Sequence, residues 1–477
     1  MDTQYDIVII GAGVAGLVCG CYLAKAGLNV LIVEQSKIAG GYCTTFKRKE
    51  YKFDVGVHYV GSCSKNGDVG RVITDLGLDL DFFSFDPIDK IILPNHIIYI
   101  RKHPTDTMEE FKKIFANEAS NIKRFFDFIL KNNILSIYSK TKKLTFSDLL
   151  NDFFFDEKIK AALTVLLGNI ALPSDKASAL TAAILFKKYI FDGGYYPRGG
   201  AQSIPDSLSK RFKDYGGKLL LSTKVQKIIT INKRVKGIVL NGEKIFSDFI
   251  VAAGDATNVF RTLLNIECDE LSRIKNLFLS SSCFAVYLGL KQELSEIIED
   301  HCSTWFFSTY DINNCYSNPL KNIIKNGETR YVLCTFPSLH EPAFAPPGKS
   351  TMGIFICAPY QNGKNFWDKY TDWITEILIN KASNVVPNLH RIIDIKIAAT
   401  PDTFYKFTLN REGAQYGWAS IPQQIGCSIF PQKTSIKGLF VAGHWCTHGA
   451  GQGGISVSIY SGKRAAQIIL NRKRLFE

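Results

Sequence analysis

No window of this 477-residue chain approaches the run of about 20 apolar residues that a membrane-crossing helix requires. Any membrane contact is therefore expected to be monotopic. The N-terminus lacks a basic stretch followed by an unbroken apolar one, so no secretory signal is expected. None of the 12 cysteines form a CxxC pair, and Cys19 and Cys21 fall together in one expected helix. Reduced, mostly buried thiols in a cytoplasmic setting are the expectation. Neither internal repeats nor low-complexity segments are visible, and no Ser/His/Asp hydrolytic motif stands out. Net charge is +13, yet the basic residues are dispersed and no base-reading motif occurs, so a nucleic-acid partner is not expected. The charge leaves an anionic or lipid surface as a partner; the plainer alternative is coding bias toward Lys, Ile and Asn.

What is present is concentrated near the start. Residues 5–34 run from a buried apolar strand through Gly11-Ala12-Gly13-Val14-Ala15-Gly16 into an apolar helix and a second strand closed by Glu34. That order is a βαβ dinucleotide-binding unit. Gly11 allows the tight turn, Gly13 lets the backbone approach a pyrophosphate, and Gly16 lets the helix pack on the strand. Glu34 falls where a carboxylate accepts the hydroxyls of an adenosine ribose. Past the second strand, Gly40 and Gly41 form a loop able to wrap a pyrophosphate or a ring. Asp54 and Gly56 read as a turn, with His58 and Tyr59 leading out of it.

Length allows two or three domains and sizeable cores. The expected class is α/β: a Rossmann-type dinucleotide-binding domain with a discontinuous mixed α+β substrate domain. The first would comprise residues 1–78, 192–265 and 401–477, the second 79–191 and 266–400. Residues 88–101 read as a hairpin around Pro94-Asn95. From 105 to about 191, apolar residues such as Phe111, Ile122, Phe125, Phe126 and Ile129 recur at helical spacing with Lys and Arg between them. They read as core, with a basic, Phe-rich bilayer-facing surface as the alternative. Short strands at 218–225, 235–240 and 249–253 suit a return to the nucleotide domain. Strands at 285–290, 331–336 and 352–358 suit a second sheet contiguous with the hairpin.

Several motifs in order carry a family resemblance. They are the βαβ unit, Gly40-Gly41-Tyr42-Cys43-Thr44-Thr45-Phe46, the segment from Phe53 to Gly61, and Tyr196-Pro197-Arg198-Gly199-Gly200. Gly413-Ala414-Gln415-Tyr416-Gly417 and the stretch from Gly443-His444-Trp445 to Gly454 complete them. The chain resembles the FAD-dependent phytoene desaturase, carotenoid isomerase and retinol saturase group within the amine-oxidase-like flavoproteins. The resemblance implies FAD, with Gly11, Gly13, Ala15 and Gly16 at the pyrophosphate and Glu34 at the ribose. It implies Gly40 and Gly41 beside the phosphates and ring, Val225 facing adenine, and Gly454 with Ile455 at the flavin pyrimidine edge. Ala12, Gln35, Tyr42, Thr44, Gly443 and His444 are the further cofactor contacts it implies. Many relatives carry Arg where this chain has Tyr42, so one cationic phosphate contact is missing. Gly449, Gly451 and Gly454 match GxGxxG literally, but no second βαβ unit follows, so a dedicated NAD(P)H domain is not expected.

Catalytic residues are not readable; the candidates are His58, Tyr59, Tyr416 and Trp445, with simple structural roles as the alternative for each. His444, Cys446 and His448 have ligand-like spacing but no identifiable fourth ligand, and no metal is expected. The implied activity is an FAD-dependent oxidoreductase acting on a polyene or isoprenoid lipid, by carotenoid-type desaturation or cis–trans isomerisation. Alternatives are a retinol-saturase-like double-bond reductase, an amine oxidase, and a non-catalytic prenyl-lipid carrier resembling Rab GDP-dissociation inhibitors. The implied partners are an apolar lipid substrate, a peripheral membrane surface, and a redox partner left open between a quinone and oxygen.

Overall fold

The computed structural model describes residues 3–361, 364–426, 430–446 and 454–473. Its first sheet is parallel and five-stranded, in the order Leu439–Val441, Phe249–Ala252, Ile7–Ile10 (β1), Val30–Val33 (β2), Lys218–Leu220. β1 and β2 read Ile-Val-Ile-Ile and Val-Leu-Ile-Val and are covered on both faces, as a central parallel strand must be. The intervening helix Val14–Lys25 (α1) is apolar nearly all round. It is buried because it lies between the sheet and the C-terminal helix Ile455–Lys473.

The second sheet has seven strands, in the order Ile393–Ala399, Ser282–Leu290, Ser350–Ala358, Tyr331–Thr335, Ser303–Phe307, Asp89–Leu93, His96–Ile100. The hairpin therefore extends this sheet, its first strand pairing in parallel with Ser303–Phe307. Six helices between Pro104 and Leu185 pack against it in the largest apolar cluster. Phe111, Ile122, Phe125, Phe126 and Ile129 are all buried there, with Phe125 ringed by Phe146, Phe153, Phe154 and Phe186. The helical phenylalanines are core.

Two local expectations are corrected. The stretch 218–225 is not one strand. Ser222 takes φ +53°, so the chain breaks from the parallel sheet, and Val225–Ile231 starts a separate antiparallel sheet with Arg234–Leu240 and Glu243–Phe246. Asp54 belongs to a strand and not to the turn. It ends the strand Tyr51–Asp54, paired with Thr45–Arg48, and its carboxylate is buried.

Candidate functional site

The turn after β1 is shaped by steric exclusion. Gly11 has φ +103°, and a Cβ on Gly16 would lie 2.1 Å from the Gly11 carbonyl oxygen. Both positions therefore require glycine. Gly13 differs: a Cβ there would meet nothing within 4 Å. As N-cap of α1 it provides no side-chain cap, so first-turn N–H groups face open space, an arrangement suited to a pyrophosphate.

Glu34 closes the cradle. One carboxylate oxygen accepts the Ala12 N–H and the other the Ser36 N–H, each at 2.8 Å. Each oxygen keeps a further lone pair for a ribose hydroxyl. Gln35 beside it is half-buried. The Gly40 N–H donates to the Ala12 carbonyl at 2.9 Å, which brings the Gly40-Gly41 loop against the turn. Thr44 donates its hydroxyl back to the Gly41 carbonyl, 3.1 Å away. Val225 is buried at the start of its strand.

The C-terminal segment approaches the same cradle. A Cβ on Gly443 would lie 3.6 Å from the Ala15 methyl, and the Gly443 N–H donates to Ser461 Oγ. Gly454 takes φ +99° directly before the helix that Ile455 begins. A Cβ on Gly462 would meet the Ala15 carbonyl oxygen at 2.3 Å, so small residues set this helix–helix distance. Tyr42 donates its hydroxyl toward the Gly413 and Ala414 carbonyls. Its ring lies 6.3 Å from that of His444. Burial holds the His444 imidazole neutral, with its pKa down to about 4. Cys446 Sγ is engaged by the Gly443 carbonyl and Ser461 Oγ, whereas His448, Gly449 and Gly451 lie outside the described residues.

Between this cradle and the seven-stranded sheet lie two adjoining cavities. Gly56, His58 and Phe355 border both. The larger is walled by Trp305, Tyr316, Tyr331, Leu333 and Tyr416, with Cys283 and Cys357 from directly paired positions on adjacent strands. Gly417, next to Tyr416, packs so tightly under the C-terminal segment that a Cβ would lie 2.5 Å from the His444 carbonyl oxygen. The cavity and the cradle thus share a wall.

A buried polar network backs that wall. Asp89 is fully buried and accepts the Trp305 indole N–H and the Tyr59 hydroxyl, each at 3.1 Å. Asn169 Nδ2 donates to the Tyr59 oxygen. Burial raises the Asp89 pKa to about 7 against the pull of those two hydrogen bonds. His58 Nδ1 lies 3.3 Å from Ser303 Oγ. Burial lowers its pKa to about 4, so its ring is neutral near pH 7. At the smaller cavity, Asp54 accepts Thr45 and Tyr196 hydroxyls and the Ala201 N–H, while burial raises its pKa to about 6.

Of the four catalytic candidates, His58 and Tyr416 border the cavity. Tyr59 is held behind it by Asp89 and Asn169. Trp445 points into the core, its indole N–H on Asn410 and its ring 5.0 Å from Trp418. Asp89, Trp305, Asn169 and His340, the last bordering the smaller cavity, escape sequence reasoning. For Asp89 a signal exists: it shares the inward face of Asp89–Leu93 with Ile91 and Leu93, and an acid on an apolar face needs partners.

The model of the family described as flavin containing amine oxidoreductase matches residues 14–470. An all-trans-retinol 13,14-reductase of Danio rerio is 24% identical, over 92% of this chain and 82% of its own. A prolycopene isomerase of an Oncidium hybrid cultivar is 25% identical, over 97% of this chain and 83% of its own. The crystal structure of an oxidoreductase from Methanosarcina mazei superposes with a TM-score of 0.70 at 16% identity, covering 97% of this chain and all of that one.

Proposed function

We propose that this chain, which belongs to the flavin containing amine oxidoreductase family, acts on a polyene or isoprenoid lipid by desaturation or cis–trans isomerisation. The observation that carries this is the shared wall: an aromatic cavity bounded by Tyr416 lies one residue from the Gly417–His444 contact of the dinucleotide cradle. The retinol reductase and prolycopene isomerase named among its relatives act on conjugated lipids, which supports the substrate class.

Bound FAD would be held by Gly11, Ala12, Gly13, Ala15, Gly16, Glu34 and the Gly40-Gly41 loop, and would exchange hydride with a carbon next to a conjugated system. Trp305, Tyr316, Tyr331 and Phe355 would hold the flat chain and exclude water. In desaturation, hydride leaves one carbon and a proton leaves its neighbour. The neutral imidazole of His58 is the base at the cavity that can take that proton. Isomerisation returns the hydride and releases no proton, so His58 would be dispensable. Reoxidation after desaturation would fall to a quinone or dioxygen.

Among the described residues no helix is long and apolar enough to cross a membrane. We assign peripheral contact to the helix Ile134–Thr141, where Ile134 and Leu135 are exposed beside Leu130, Lys131, Lys140, Lys142 and Lys143. Flotation with anionic vesicles at low salt should carry the protein up, and Leu135→Asp should leave it at the bottom. Wild type that stays at the bottom would remove this assignment.

The main test is an anaerobic visible titration of the yellow holoprotein with polyene lipids from its own host. Bleaching of the flavin supports desaturation. Isomer exchange that needs prior reduction and survives His58→Phe supports isomerisation. A product with one double bond fewer than the lipid supplied would replace both with a reductase.

A further inference from the structure

We propose that the lipid carries an oxygenated end, a hydroxyl or carbonyl, and that His340 and Thr335 hold this end in the smaller cavity. This rests on the isoprenoid-lipid reading above and extends it to the lipid's polar group.

The two cavities differ in their unused polar atoms. In the smaller one, most polar side chains already have partners. Asp54 is occupied by Thr45, Tyr196 and Ala201. Tyr287 donates its hydroxyl to the Val55 carbonyl, and Ser303 pairs with His58. His340 does not follow this pattern. Its ring packs 4.3 Å from that of Phe85, with Phe83 and Tyr196 beyond. Yet among the described residues no hydrogen bond reaches its ring nitrogens. The Thr335 hydroxyl borders the same space and likewise has no hydrogen-bond partner among the described residues. Gly353 leaves it room, since a Cβ there would lie 2.7 Å from Thr335 Oγ1.

Burial, with His301 nearby, keeps His340 neutral, its pKa down to about 4. A neutral imidazole offers one N–H donor and one bare nitrogen acceptor. A hydroxyl can pair with either nitrogen, accepting from the N–H or donating to the bare one, and can reach Thr335 with its other capacity; a carbonyl can accept from the N–H. A pure hydrocarbon would displace water from these atoms and leave them unpaired, which is unfavourable. The cavities meet at His58 and Phe355, so a lipid anchored at His340 would run its conjugated part past His58 toward Tyr416.

The test uses holoprotein and two probes of equal skeleton: geranylgeraniol, and the hydrocarbon in which its CH2OH is CH3. Binding is read from the flavin absorbance change or protein fluorescence. The expected result is at least about tenfold tighter binding of the alcohol, as expected for discrimination by hydrogen-bonded pockets. His340→Leu should bring the two within about threefold by weakening the alcohol alone, and Thr335→Val should do so in part. Retained flavin colour controls for folding. Equal binding of both probes by wild type, or an unchanged ratio in His340→Leu, overturns the polar-end assignment while leaving the lipid reading intact. Failure of both probes to bind overturns the lipid reading and this inference with it.

Discussion

The parallel-sheet cradle and the aromatic cavity share a wall, but different parts of the chain build them. In the cradle, the residues that would hold the dinucleotide are mainly backbone positions freed by small residues, and most lie within the first 44 residues. In the cavity, the contacts are side chains from strands and loops scattered between Phe53 and Tyr416. A backbone site tolerates almost no added atom but depends little on side-chain chemistry. A side-chain site tolerates reshaping, and its chemistry rests on partners hidden behind the wall, such as Asp89 behind Trp305.

The sharpest way to break this contrast is a pair of cradle substitutions. Gly16→Val drives atoms into the Gly11 carbonyl, and soluble folded protein should be lost outright. Gly13→Val fills only open space, so the protein should fold with native circular dichroism yet purify colourless. A yellow Gly13→Val protein would remove the pyrophosphate assignment.

Next comes the network behind the cavity. The Asp89 carboxyl is raised to about 7 in the fold, whereas an unfolded aspartate releases its proton near pH 4. The unfolded state therefore loses the proton first, and this group's stabilisation is complete below about pH 4 and lost as pH rises through about 7. The loss is at most about 4 kcal/mol across that window. Between about pH 5 and about pH 8 the denaturant midpoint should rise distinctly more, or fall distinctly less, in Asp89→Asn than in wild type, because His58, His340 and His444, held neutral by burial, act oppositely and equally in both proteins. Equal slopes would show that Asp89 is not the titrating group.

A cavity substitution should be milder still. The Cβ of Gly168→Ala would lie 2.3 Å from the Trp305 ring, so the indole must shift into the substrate space. Flavin content should stay unchanged while lipid affinity drops about tenfold, roughly 1.4 kcal/mol. The smallest effect is expected from Tyr42→Phe. It removes one hydroxyl from the Gly413 and Ala414 carbonyls and should lower stability by about 1 kcal/mol without loss of colour.

How far the chain could be read in advance follows the same division. The βαβ unit, the hairpin at 88–101 and three strands of the second sheet were legible because their apolar periods and turn residues are local, whereas Ser303–Phe307 and Ile393–Ala399 were not read. The break at Ser222 was not, because Lys218-Leu219-Leu220-Leu221 and Val225 look like one continuous strand unless the two destinations are known. Trp445 illustrates the limit for single residues. Its neighbours Gly443 and His444 sit at the cradle, but its indole turns toward Asn410 and Trp418, 35 and 27 positions earlier in the chain.

By itself, the sequence determined the dinucleotide-binding unit, which is written in short-range spacing of glycines, apolar residues and one acid, and its ordered motifs carried the resemblance to the flavoprotein family. Only the tertiary structure decided that Asp89, Trp305, Tyr59 and Asn169 form one buried network, and that His340 borders the cavity with no hydrogen bond to its ring nitrogens among the described residues. The reason is physical: burial and hydrogen-bond pairing are properties of three-dimensional neighbours. Residues more than 200 positions apart, such as Asp89 and Trp305, acquire their chemistry from each other only after the seven-stranded sheet has brought them together.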